Sequence, residues 1–146
     1  MTHVKRILVA TDFGESSARA VALAVELANA LGATLTLIHV VDDYPQYGYT
    51  IEVPVDILSG IESAAEAALS KELAKIARDV PLARAKLATG TPSEAILAFA
   101  KADGSDLLVA GTHGHRGIAR LFLGSVAEKL VRLCPCPVLT VRGGHA

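Results

Sequence analysis

Five short apolar runs punctuate the chain, and the segments between them repeat apolar residues every three or four positions. Arg6-Ile7-Leu8-Val9-Ala10 is continuous and short, the pattern of a strand buried on both faces. Thr11-Asp12-Phe13-Gly14 breaks it. The spacing then predicts a helix from about Glu15 to Leu31, with Ala18, Val21, Ala22, Val25 and Ala28 as its apolar stripe and Gly32 as its C-terminal cap. Thr34-Leu35-Thr36-Leu37-Ile38-His39-Val40 reads as a second strand. Two strands around one helix make a βαβ unit, and hence a parallel pair.

Asp42 to Val55 has no period and holds all three tyrosines, Tyr44, Tyr47 and Tyr49. A helix rich in Ala and charge follows, from about Asp56 to Asp79. Leu82–Leu87 is a weaker, more polar strand suited to a sheet edge. Thr91-Pro92-Ser93-Glu94 predicts a helix start, with Thr91 at N-cap, Pro92 at N1 and Glu94 at N3 reaching back; that helix runs to about Ala102. Leu107-Leu108-Val109-Ala110 is a fourth strand. A helical pattern beginning near Gly124-Ser125-Val126 leads to a last strand, Pro137-Val138-Leu139-Thr140-Val141.

The alternation β-α-β-α-β-α-β-α-β, without a composition shift or internal repeat, predicts one domain over residues 1–146. The expected fold class is α/β: a single doubly wound, five-stranded parallel sheet, Rossmann-like, in the common order 3-2-1-4-5 with helices on both faces. Ligands of such sheets bind beyond the carboxyl ends of the strands, where the strand order reverses. If the first and fourth strands are neighbours, the loops at Asp12 and Gly111–Gly114 share that crevice.

Composition narrows the function classes. Of 146 residues, 51% are apolar, and the formal charge is −1, so no global basic field marks a nucleic-acid binder and no basic helix a membrane-surface one. No apolar stretch approaches the roughly 20 residues that span a bilayer, and the first residues lead straight into a strand without a signal-peptide layout. Both cysteines sit in Cys134-Pro135-Cys136-Pro137. Two thiols at that spacing make neither a disulfide framework nor a zinc site, and they read as packed thiols. The expectation is a reduced, cytoplasmic protein.

The candidate chemistry lies in Leu107–Arg142. Glycines after the fourth strand, Gly111-Thr112-His113-Gly114, let a phosphate approach the backbone, and successive N–H groups form an anion nest. Nine residues on, Gly124-Ser125 opens a helix whose free N–H groups and positive dipole end favour phosphate oxygens. His115, Arg116 and Arg120 lie between them. The alternative is local: glycines end strands, and Ser125-x-x-Glu128 is itself a capping box. Neither Walker A nor the dinucleotide fingerprint fits, because no Lys precedes Ser125 and the first strand runs into Thr11-Asp12-Phe13-Gly14. Asp12-Phe13-Gly14 is no kinase signature in a chain lacking the other kinase elements.

Gly111-x-x-Gly114, nine residues, then Gly124-Ser125 resembles the ATP-binding signature of the universal stress protein family. Ile7-Leu8-Val9-Ala10-Thr11-Asp12-Phe13, Leu37-Ile38-His39-Val40 and Cys136-Pro137-Val138-Leu139-Thr140-Val141 resemble that family too, so the likeness covers nearly the whole chain, least at Asp42–Val55. The resemblance implies ATP as cofactor, with or without Mg²⁺. It implies that Asp12 holds the ribose hydroxyls over Ala10 and Thr11, and that Val40 offers backbone groups to the adenine edge. Ala110, Gly111 and Gly114 would line the sugar and phosphates, and Gly124, Ser125 and Val126 would hold the terminal phosphates. Asp12 could instead be a carboxylate serving the helix dipole.

Hydrolysis would need water-orienting and metal-binding groups, and no second acidic loop is evident. The expected role is therefore a nucleotide sensor or regulator in the stress response with slow or no turnover. A nucleotide-free interaction scaffold and a slow ATPase are the rivals. The resemblance also implies a homodimer through Val138–Val141, an apolar edge strand of the kind that invites pairing. The tyrosine-rich loop is either a lid near the base or a partner surface.

Overall fold

A computed structural model describes residues 3–42, 55–113 and 124–143. It contains β1 (Arg6–Ala10), α1 (Glu15–Leu31), β2 (Thr34–Val41), α2 (Val55–Ala77), β3 (Arg84–Thr89), α3 (Pro92–Asp103), β4 (Leu107–Gly111), α4 (Ser125–Leu133) and β5 (Val138–Val141). The strands form one parallel sheet in the order β3-β2-β1-β4-β5. The predicted fold class and strand order are thus found.

Strand periodicity explains the two layers. Successive side chains leave a strand on opposite faces, so Ile7 and Val9 join Leu35, Leu37 and Val109 under α1 and α2. Leu8, Ile38, Leu108 and Ala110 face the other way, against Ile96 and Ala100 of α3 and Leu130 of α4. Leu8, Val9, Leu35, Leu37, Ile38, Leu108 and Val109 have no exposed surface at all. Burying each such side chain contributes on the order of 2 kcal/mol relative to exposure, which pins the central strands and leaves the strand ends as the place for a site.

The helix α1 spans the expected residues, and Gly32 ends it in the left-handed conformation (φ 66°, ψ 31°). Its buried face differs from expectation. Ala20, Val21, Ala24 and Ala28 are buried together with Ser16 and Ser17, whereas Ala18 and Ala22 are exposed and Val25 is half-buried. Alanine is nearly as tolerable in water as inside, so the Ala-rich pattern carried little phase information. What selects the face is closeness: a methyl group on Gly111 would meet Ser16 Oγ at 2.5 Å and its carbonyl carbon at 2.8 Å. Small residues at every fourth position let α1 lie directly on β4.

The strand β3 begins two residues later than expected and is a sheet edge, as expected. Its pairing with β2, from Thr36↔Arg84 to Val41↔Thr89, sets its bounds. The strands β1 and β4 are joined at their starts by Asp106, whose Oδ2 accepts the N–H groups of Lys5 and Arg6, both at 2.9 Å. This carboxylate satisfies two donors where the sheet begins and fixes the β1–β4 register. Among the described residues the edge strand β5 is paired with β4 alone, and its four residues are all half-buried.

Candidate functional site

The strand order reverses between β1 and β4, and there the carboxyl ends of the strands splay around a cleft of about 230 Å³. Its floor is apolar: Ile38 of β2, Ala110 of β4, Ile96 of α3, and Ala127 and Leu130 of α4 all line it and are buried. Polar groups stand around this floor, namely Thr11, Asp12, Ser17, His39, His113 and Ser125. An apolar bed with a few convergent polar groups is the usual build of a small-molecule site.

The turn after β1 is held by its own side chains. Asp12 Oδ1 accepts the Gly14 N–H at 2.9 Å and the Ser17 hydroxyl at 2.8 Å. Ser17 Oγ in turn receives the Asp12 N–H at 3.3 Å and lies 3.3 Å from Thr11 Oγ1, which accepts the Phe13 N–H at 3.0 Å. One oxygen of Asp12 therefore serves the start of α1, as the local alternative anticipated. Among the described residues Oδ2 makes no hydrogen bond, while the residue lines the cleft. Phe13 pays for the tightness with a left-handed backbone, φ 63°, a conformation uncommon for an aromatic residue. Its ring packs on His39, centroids 4.4 Å apart.

His39 had no role in the sequence reading beyond its place in the strand. Its Nδ1 lies 2.7 Å from the Thr11 carbonyl. A carbonyl can only accept, so Nδ1 carries the hydrogen, and in the neutral ring Nε2 is an acceptor. His39 thus ties the end of β2 to the turn bearing Asp12 from beneath the cleft. A histidine near a strand end was the available signal, but the pairing partner was set by sheet order.

The far wall is the β4–α4 crossing. The Thr112 N–H donates to Val141 O at 2.9 Å, and the Gly124 N–H to Thr112 O at 2.7 Å, so the end of β4, the start of α4 and the end of β5 share one backbone network. Gly124 is the N-cap of α4 (φ −63°, ψ 161°) and has no side-chain oxygen to cap with. Ser125 is consequently N1, one position later than a capping box requires, and Glu128 pairs instead with Arg132 at 3.5 Å. The first-turn N–H groups and the dipole end are left to face the cleft. His113 Nδ1 lies 3.1 Å from Thr112 Oγ1, and its buried Nε2 has no partner among the described residues.

Nine of the ten residues expected at a ligand site line this one cleft: Ala10, Thr11, Asp12, Val40, Ala110, Gly111, Gly124, Ser125 and Val126. The tenth, Gly114, lies outside the described residues, as do His115, Arg116, Arg120 and the three tyrosines. Lining residues that carried no expectation of their own are Ser17, Ile38, His39, Pro92, Ile96, Ala127 and Leu130, with His113 named only as part of the glycine loop. Among the described residues no three metal-ligating side chains cluster, and no helix is long and apolar enough to cross a membrane.

The cysteines also stand as expected, unbridged and half-buried, with their sulfurs 3.5 Å apart. Burial, with the neighbouring Cys134 adding to it, pushes the Cys136 thiol up to about 12.

Fold and cleft together define a doubly wound α/β protein whose ligand crevice opens between β1 and β4, with an uncapped helix N-terminus in its wall. Residues 3–142 match the sequence model of the universal stress protein family, and the chain belongs to that family. A universal stress protein of Thermus aquaticus is 38% identical over 138 residues, covering 94% of this chain and 98% of its own. A universal stress protein A homologue of Coxiella burnetii is 32% identical over 142 residues, covering 95% of this chain and 96% of its own. Among solved structures, the universal stress protein UspA of Lactobacillus plantarum superimposes with a TM-score of 0.84 at 26% identity, over 97% of this chain and 100% of that one. A universal stress protein solved in complex with cAMP superimposes with a TM-score of 0.73 at 25% identity, over 98% of this chain and 100% of that one.

Proposed function

We propose that the chain is a nucleotide-binding universal stress protein whose cleft takes an adenine nucleotide, ATP in the working state, and that it acts as a dimeric sensor or regulator in the stress response with slow or no hydrolysis. The observation that carries this reading is the convergence, at one switch-point cleft, of an apolar bed, a carboxylate and an uncapped helix start. Each suits one part of a nucleotide. The bed of Ile38, Ile96, Ala110 and Leu130 suits a flat base, with the Val40 backbone at its edge. Asp12 suits a ribose diol, because an ionised carboxylate accepts two hydroxyl hydrogens. Gly111, Gly124 and Ser125 suit phosphate oxygens, since the dipole and first-turn N–H groups of α4 favour negative charge. The relative solved with cAMP supports an adenine nucleotide as the ligand class.

The dimer rests on the sheet edge. Among the described residues the strand β5 has one neighbour, β4, and exposed Val131 and Leu133 lie on the helix just before it. An apolar edge strand beside exposed apolar residues is suited to pairing with a second copy. In this reading the whole of residues 1–146 forms one cytoplasmic nucleotide-binding domain.

Calorimetric titration of the purified chain with ATP, ADP and AMP, with and without Mg²⁺, tests the site, alongside analysis of small molecules released on heating. Expected is saturable binding that Asp12→Ala weakens roughly tenfold, the loss of a hydrogen-bonded charge. Absence of binding for all three nucleotides would leave the scaffold reading standing. Rapid, saturable ATP hydrolysis would replace the sensor with an enzyme.

A further inference from the structure

The joint between α4 and β5 reads Cys134-Pro135-Cys136-Pro137, and the cleft makes no use of it. Its backbone is fixed at both ends. The Cys134 N–H donates to Leu130 O at 3.0 Å, which closes α4, and the Leu108 N–H donates to Pro137 O at 3.0 Å, which starts the pairing of β5. Between these bonds Pro135 and Pro137 lock their own φ angles and push the residues before them out of the helical region; Cys134 is extended, with φ −67° and ψ 136°. The result is a pair of thiols held with their sulfurs 3.5 Å apart. Both pack against the apolar layer of Leu108 and Leu130, yet both are only half-buried, so solvent reaches them. We propose that this dithiol is a chelating site for a thiophilic trivalent metalloid, with a monosubstituted arsenical as the type ligand.

The bite selects the class of ligand. Two sulfur bonds of about 2.3 Å, the length thiolate makes to zinc, span a 3.5 Å gap at an angle of about 100°. A linear two-coordinate ion would need the sulfurs about 4.6 Å apart, twice that bond. A tetrahedral ion such as Zn²⁺ tolerates the angle but needs four ligands, and among the described residues no third metal-ligating side chain joins the pair. A trivalent arsenic carrying one organic group needs two sulfurs and nothing more, and its lone pair keeps its bond angles below tetrahedral. The step balances without an oxidant. Two As–S bonds form, two As–OH bonds break, and each hydroxide leaves as water with one thiol proton. Arsenic stays trivalent, and both sulfurs keep their oxidation state. The helix α4 runs nine residues away from the cleft, so at 1.5 Å per residue the dithiol stands about 13 Å from the helix start. The site therefore stands or falls apart from the nucleotide cleft.

The test is native mass spectrometry of the whole chain, reduced with a phosphine, with phenylarsine oxide as the probe. The chain has only two cysteines, so the stoichiometry is unambiguous. Expected is one arsenical per chain with both thiols consumed, removable by a small dithiol and not by a monothiol. Cys134→Ser and Cys136→Ser each leave a single thiol and should weaken the adduct at least about a hundredfold, because the second sulfur no longer acts at high effective concentration. Serine also changes the packing at the joint, so the parent chain supplies a second measurement. Unfolding it in urea frees the joint and should weaken binding about tenfold, through the loss of preorganisation. Absence of an adduct would overturn the proposal. So would an adduct that both single-thiol variants keep at parent affinity, or equal affinity in the folded and the unfolded chain.

Discussion

Replacing Gly111 by alanine places one methyl group in a close contact between β4 and α1. Its carbon would stand 2.5 Å from Ser16 Oγ, 2.8 Å from the Ser16 carbonyl carbon and 2.9 Å from Ser16 Cβ. The hydroxyl could rotate away, at the loss of its 3.0 Å hydrogen bond to Val141 O. The carbonyl carbon belongs to the backbone of α1 and moves only with the helix. Relief therefore requires α1 to lift from β4 by several tenths of an ångström against a core of Ala20, Val21 and Ala24. Overpacking of this kind costs about 1–3 kcal/mol, or about 4–8 °C in Tm for a cost near 2 kcal/mol in a chain of this size. Thermal unfolding followed by circular dichroism reads the loss directly. A second variant separates the side-chain clash from the backbone clash. Ser16→Gly removes Oγ and Cβ but leaves the carbonyl carbon, so in the Gly111→Ala background it should recover less than about half of the lost stability. An unchanged Tm for Gly111→Ala, or full recovery in the double variant, would refute the argument that backbone contact demands glycine at the end of β4. Because Gly111 and Asp12 lie on opposite sides of the same cleft, the same shift of α1 should also weaken AMP, measured by calorimetry.

Other outcomes follow from the same geometry. Asp106→Ala should lower stability by about 2 kcal/mol, since it leaves the Lys5 and Arg6 N–H groups without their acceptor, whereas Asp106→Asn should retain most of it; urea unfolding distinguishes the two. The Cys136 thiol, pushed up to about 12 from its ordinary value of 9.0 by burial, should react slowly with iodoacetamide at pH 8 and gain about tenfold per pH unit without a plateau before pH 11. The folded protein holds that proton more tightly than the unfolded chain, so this group's contribution is intact below pH 9 and is lost as pH rises from 9 towards 12; Cys136→Ser should flatten that part of the stability profile. Deleting the chain from Val138 onward should give a monomeric or insoluble product by size-exclusion chromatography, and a well-behaved dimer would overturn the proposed pairing through β5. His39→Phe should keep the packing on Phe13 but lose the bond to the Thr11 carbonyl, loosening the Asp12 turn; a several-fold loss of AMP affinity with Tm nearly unchanged is the expected result.

The sequence by itself determined the layers. Continuous apolar runs as short as Ile7–Ala10 and Leu107–Ala110 fit strands covered on both sides, and a parallel sheet needs the helical crossovers that the intervening periods supply. Glycines at 111 and 124 and the carboxylate at 12 were legible as candidate chemistry because turns and anion sites demand particular residues at particular spacings. Tertiary structure decided what local pattern could not carry. The phase of α1 was ambiguous because alanine scarcely prefers either face, and the choice fell to the contact between Ser16 and Gly111, 95 positions apart in the chain numbering. The start of β3 was set by its register on β2, not by its own weak hydrophobicity. Ser125 looked like a cap, and only the fold put Gly124 in that place, leaving α4 open towards the cleft. The bond from His39 to Thr11 and the meeting of α3 and α4 at the cleft floor depend on which strands are neighbours. That is a property of the sheet's long-range pairing, and no window of sequence contains it.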